Sequence, residues 1–160
     1  MSEHGTPESG LPPFPEGCRV MGLDYGTVRI GVALSDSELC TASPFETLGA
    51  GRGLLPRLRE LIVGQRVALV VMGLPERNDG APGTLDTQIR HLASVLTREG
   101  YPVVFQNEAF SSVRAQQQLE QAGRPARERR GRHQATDRVA AALLLQDWLD
   151  AHPELRSGRR

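Results

Sequence analysis

At 160 residues, with 39% apolar and 4% aromatic residues, the chain fits one domain and leaves no room for the core of a second domain. No run approaches the ~18 consecutive apolar residues of a membrane-spanning helix, and a net charge of zero argues against a protein that coats nucleic acid over its whole surface. All 19 cationic residues are Arg, and six of them (Arg124, Arg127, Arg129, Arg130, Arg132 and Arg138) fall within fifteen residues, a concentration suited to local contact with a polyanion.

Residues 1–17 carry Pro7, Pro12, Pro13, Pro15 and three glycines, a composition that predicts a disordered leader. No basic region followed by an apolar stretch marks a secretory signal. Cys18 and Cys40 lack a CxxC or a nearby His partner and read as isolated thiols of a reducing cytosol, so the expected location is cytoplasmic. Arg19 to Asp24 reads as a strand, Tyr25-Gly26-Thr27 as a turn, and Arg29 to Ser35 as a second strand. So short a connection requires an antiparallel pair. A third strand is expected at Phe45–Leu48, with Pro44 tolerated at a sheet edge.

The pattern then changes. Leu54, Leu55, Leu58, Leu61 and Ile62 have helical spacing that stops at Gly64, and Val67 to Met72 is a continuous apolar run typical of a strand covered on both faces. Leu85, Ile89, Leu92, Ala93 and Leu96 mark a second helix, capped by Thr84 and ended by Gly100. Val103–Phe105 is another buried strand, and two helices are expected at about 112–122 and 135–151. The domain thus spans 18–151, with 152–160 a flexible tail. The order β-β-β-α-β-α-β-α-α predicts an α/β fold, a mixed five-stranded sheet with helices on both faces. Strand order 3-2-1-4-5, that of ribonuclease H, fits it best.

Three carboxylates stand where chemistry could use them. Asp24 closes the first strand; a turn residue bonding its own backbone is the ordinary alternative. Glu108 ends the last strand, where a solvated loop residue is the usual reading. Asp137 shares a helix face with Ala140, Ala141, Leu144 and Trp148, and a carboxylate on an apolar face is rare unless paired or metal-bound. The alternative for it is an acid complementing a helix dipole. Three acids converging on one spot repel one another and make chemical sense chiefly around cations such as Mg²⁺ or Mn²⁺, which can activate a water and stabilise a leaving oxygen.

The stretch Gly22-Leu-Asp24-Tyr-Gly26-Thr-Val-Arg29-Ile-Gly31-Val-Ala33 resembles the opening motif of the YqgF family, also called pre-16S rRNA nucleases or Holliday junction resolvase-like proteins. Gly73-Leu-Pro75 with Asp79-Gly80 and Gly83 is similar to that family's glycine-rich second motif. Asn107-Glu108 with Ser111-Ser112 stands where the family has Asp-Glu-Arg-Leu and a Ser/Thr pair, and Asp137-Arg-Val-Ala140-Ala141 resembles its closing Asp-x-x-Ala-Ala. The resemblance implies a ribonuclease-H-like, metal-dependent endonuclease with Asp24, Glu108 and Asp137 as catalytic acids holding two Mg²⁺ or Mn²⁺ ions. It also implies structured RNA, notably precursor 16S rRNA, as substrate, with branched DNA such as a Holliday junction as the alternative. Asn107 and Ala109 depart from the family's Asp and Arg; Arg114, about a turn into the next helix, could replace the missing Arg.

Arg29, just after the hairpin turn, could bind a phosphate of the cut strand or form a surface salt bridge. Arg127, Arg129, Arg130 and Arg132 sit among Gly123, Pro125 and Gly131 and read as a flexible, phosphate-gripping linker. The loop 73–83 could cover the active site or simply connect two elements. A non-catalytic nucleic-acid-binding module on the same fold is the rival of another class. An actin- or sugar-kinase-type nucleotide site is disfavoured because the chain lacks a second lobe. An exposed helix face could support a homodimer.

Overall fold

In a computed structural model of the chain, the described residues are 14–26, 28–74, 84–107 and 126–157, with backbone alone at 84, 107, 126–136 and 157. The elements are β1 (Arg19–Tyr25), β2 (Arg29–Ser35), β3 (Ala42–Gly49), α1 (Leu54–Gly64), β4 (Val67–Leu74), α2 (Thr84–Arg98), β5 (Val103–Asn107), α3 (Ala126–Asp150) and α4 (Glu154–Ser157). One five-stranded sheet has the order β3-β2-β1-β4-β5, with β1 and β3 each antiparallel to β2 and with β1, β4 and β5 parallel. That is the expected ribonuclease-H-like topology.

Alternation along the strands builds two cores. Met21, Leu23, Ile30, Val32, Val70 and Met72 face Leu58, Leu61 and Ile62 of α1 and Ile89, Leu92 and Leu96 of α2. Val20, Ala33, Leu69 and Val71 face Ala141, Leu145, Trp148 and Leu149 of α3. Being covered on both faces explains why Val67 to Met72 is apolar throughout rather than alternating.

Several boundaries follow from identifiable local chemistry. β3 is longer than Phe45–Leu48 because a bulge absorbs Pro44: Val32 pairs with Glu46 and Ala33 with Pro44, leaving Phe45 as the extra residue on an edge strand. Gly100, at φ +96°, ends α2 as expected. Its N–H donates to the Thr97 carbonyl (3.0 Å) and that of Tyr101 to the Leu96 carbonyl (2.9 Å), the paired bonds of a Schellman cap.

Two expectations are corrected. The chain from 126 to 132 is helical and continuous with the last helix, not a linker. A helix interior tolerates Gly131 at a cost of ~1 kcal/mol, and the Ala, Arg and Glu around it are good helix formers. Nor are 152–157 a loose tail. The α4 residue Leu155 packs on the second core, and the Arg156 Nε donates to the Leu39 carbonyl at 3.0 Å. At the other end Phe14 packs on that same core, so order begins before Cys18; residues 1–13, like the expected helix at 112–122, lie outside the described residues. Among the described residues no helix is long and apolar enough to cross a membrane.

The contact between α3 and the sheet is made at glycines. A Cβ on Gly22 would stand 2.9 Å from the Leu145 Cβ and 3.1 Å from the Ala141 carbonyl oxygen. One on Gly31 would overlap the carbonyl oxygen of Asp137, a backbone atom that can move only with the helix. We therefore expect Gly31→Ala to cost about 3 kcal/mol. The check is a lower urea midpoint with an unchanged denaturant slope; a loss below about 0.5 kcal/mol would show that α3 is free to lift.

Candidate active site

Val20, Gly22 and Asp24 alternate onto the α3 side of β1, so the hydrophobic pattern that builds the second core also sends Asp24 toward that helix. Asp24 is 4% exposed, and its Oδ1 is sealed from solvent. Directly across the hairpin from Asp24 is Gly31, the residue over which the Asp137 backbone passes. Residues opposite each other in an antiparallel pair project to one face. Asp24 and the backbone of Asp137, 113 positions apart in sequence, are therefore brought to the same face of the sheet at the C-terminal end of β1.

Arg29 completes this cluster. Two residues before Gly31, it lies on the same face, and its Nε donates to Asp137 Oδ2 at 3.0 Å. The two side chains are 28% and 25% exposed, so the pair is only partly shielded from water. Of the two roles open to Arg29 from sequence, the salt bridge is formed. It uses one of the guanidinium's five donors.

Among the described residues no third His, Cys, Asp or Glu joins Asp24 and Asp137. Glu108 and Arg114 lie outside the described residues, although Asn107, the residue before Glu108, ends β5. Because β1, β4 and β5 are parallel, their C-terminal ends open on one rim, the edge where open α/β sheets place ligands. Arg127, Arg129, Arg130 and Arg132 occupy positions in the first two turns of α3. Position 130 precedes Asp137 by two turns on the same helix face, about 10 Å along the axis.

Sequence reasoning missed that Arg29 and Asp137 pair and that glycine is required beneath the helix. A signal existed. Gly22, Gly31 and Ala33 put small residues on one face of two neighbouring strands, which leaves room for a helix to approach closely.

A ribonuclease-H-like sheet with carboxylates at the end of its central strand defines a class of nucleic-acid-cutting enzymes. The chain belongs to the RuvX family, described as a Holliday junction resolvase, whose model matches residues 18–151, and it is a nuclease. A relative from Mycobacterium leprae (strain Br4923), named "Putative pre-16S rRNA nuclease", is 39% identical over 140 residues, covering 85% of this chain and 74% of that protein. A Lactococcus lactis subsp. lactis (strain IL1403) relative of the same name is 36% identical over 139 residues, covering 84% and 95%. Of solved structures, T. thermophilus RuvC in complex with a Holliday junction substrate superposes with a TM-score of 0.50 at 16% identity, covering 86% of this chain and 96% of that one. The Fowlpox virus resolvase with its junction DNA gives 0.50 at 9% identity, covering 83% and 97%. At such identities the likeness is one of fold.

The Arg29–Asp137 pair should be worth little to stability because both partners meet water. A double-mutant cycle with Arg29→Gln and Asp137→Asn in metal-free buffer should give a coupling of about 0.5 kcal/mol that shrinks at high salt. A coupling that salt leaves untouched would place the pair in a drier environment than its exposure indicates.

Proposed function

We propose that the chain hydrolyses phosphodiester bonds in structured nucleic acid, with precursor 16S rRNA as substrate, using divalent metal held by Asp24, Glu108 and Asp137. The observation that carries this reading is the buried Asp24 at the C-terminal rim of the central strand, opposite the glycine over which the backbone of Asp137 passes. Desolvating a carboxylate next to a second one is costly, and a cation at that point offsets the cost. The donors are all hard oxygens, which suits Mg²⁺ or Mn²⁺, and three carboxylates provide enough donors for two ions. When bound, such an ion supplies Lewis acidity to the phosphate and makes the attacking water more acidic.

The chain's own residues do the positioning. Asp24 is held by the central strand of the sheet, and Asp137 is fixed at one carboxylate oxygen by Arg29, which keeps its second oxygen for the ion. The Nη groups of Arg29 are then directed to a phosphate oxygen of the bound strand. Arg127, Arg129, Arg130 and Arg132 hold backbone phosphates further along α3, and Arg114 takes the place of the family's missing Arg after Glu108. Support for precursor rRNA comes from the names of the relatives, and a substrate of that kind supports a cytoplasmic location. Branched DNA is the second reading, favoured by the junction-bound RuvC whose fold the chain shares.

Replacing Asp24 by Asn should abolish cleavage while leaving the metal-free protein as stable or more so, since it removes like-charge repulsion. Mn²⁺ should raise the melting temperature of the original chain more than that of the variant. The assay is a panel of precursor rRNA, single-stranded RNA and DNA, and a four-way junction with Mg²⁺ or Mn²⁺. A variant that melts early yet still cuts would overturn the metal site.

Arg127, Arg129 and Arg130 replaced together by Ala should weaken substrate binding at low salt. Every guanidinium–phosphate pair so removed should flatten the slope of log affinity against log salt by ~0.7 to 0.9. An unchanged slope would return these residues to an ordinary solvated surface.

A further inference from the structure

On the sheet face opposite α3, a cavity of about 410 Å³ opens between the loop leading into α1 and the outer side of α2. Its wall includes Tyr25, the residue after Asp24. Successive strand residues point to opposite faces and advance by ~3.3 Å, so this cavity and the acid pair flank the same end of β1. Leu54, Leu92 and Val95 give it apolar walls, while Gln88, His91 and Arg52 add polar groups. Among the described residues no Asp or Glu lines it, although the chain has as many acids as bases.

We propose that this cavity receives one unpaired base of the strand being cut, turned away from the phosphate at Asp24 and passed round the sheet edge. The volume falls in the range of pockets that enclose small ligands. An unpaired base has apolar faces for Tyr25 and the leucines, and an edge of donors and acceptors for the Gln88 amide, which offers both. Arg52 at the exposed entrance suits the phosphate joined to that base, and a described lining without carboxylates admits the negative charge. A lipid chain or an apolar peptide would match the walls but leave the Gln88, His91 and Arg52 groups unused. Housing a base here selects substrates with an unpaired nucleotide beside the cut, because such a base leaves its stack at least cost.

The inference rests on the nuclease reading, and its test separates the two. Short RNAs with an unpaired segment are made with one 2-aminopurine each, stepped across the bond that the unaltered chain cuts. They are bound to the full-length Asp24→Asn protein, which should hold them without cutting. The expected result is a severalfold fluorescence change confined to one position or two adjacent ones. That change should be lost in Asp24→Asn/Gln88→Trp, where an indole from the exposed face of α2 fills the entrance. Arg52→Ala should weaken the same RNA about tenfold. Both added sites are solvent-exposed, and an unchanged melting temperature shows that these variants fold. Equal responses at every position, or a response that survives Gln88→Trp, overturn the proposal. Adenosine monophosphate binding that Gln88→Trp abolishes, with no RNA position responding, would assign the cavity to a free nucleotide and also overturn it. A chain that cuts RNA while failing these tests loses only this inference; one that cuts nothing in the panel loses the nuclease reading as well.

Discussion

The closeness of α3 to the β1–β2 hairpin is the constraint on which the rest of the site depends. A helix can lie with its backbone on a sheet only where the strands beneath carry no side chain, and Gly22 and Gly31 provide that. Each glycine weakens its strand by removing packing and adding unfolded-state freedom. The loss is offset by the apolar contacts that the same crossing makes possible, with Leu145, Trp148 and Leu149 sealing the second core. Asp137 sits at the helix residue whose carbonyl passes over Gly31, so closeness of backbone is what turns two distant acids into neighbours.

The electrostatics of that point oppose stability. A carboxylate as enclosed as Asp24 has given up most of its water, and the α3 backbone at Asp137 passes over the residue opposite it. Arg29 compensates from the β2 side, but through a single bond to a partly exposed partner. A fold selected only for stability would place a neutral residue at position 24. Strain of this kind, held by rigid elements on both sides, is how a sheet keeps reactive groups in a fixed geometry. Neither acid rides on a flexible loop: one is set by strand pairing, the other by a 25-residue helix anchored at its far end by Gln146 and Arg156.

Where sequence and structure differ, the differences are local and share one cause. Gly131 and the nearby Pro125 read as breaks, yet a helix anchored by a core along 140–149 can extend backward through a glycine at small cost. Pro44 makes β3 look short, whereas an edge strand accommodates a residue lacking an N–H by bulging at Phe45. The chain after His152 looks polar and loose, but Leu155 and Arg156 find partners on Leu39 and the second core that lie far away in sequence.

The order and type of the elements were legible because periodicity is a local property. Runs such as Val67 to Met72 and the helical spacing of Leu54 to Ile62 state their own burial, and a connection as short as Tyr25-Gly26-Thr27 permits only an antiparallel pair. The enclosed position of Asp24 was legible too, since a carboxylate at the end of a buried strand is conspicuous by its cost. What the sequence could not show is which side chains touch. The Arg29–Asp137 bond, the fit of Asp137 over Gly31 and the cavity behind Tyr25 join residues from separate elements. Those contacts depend on how closely a helix approaches a sheet, a distance set by the summed packing of both cores and encoded in no single stretch of chain.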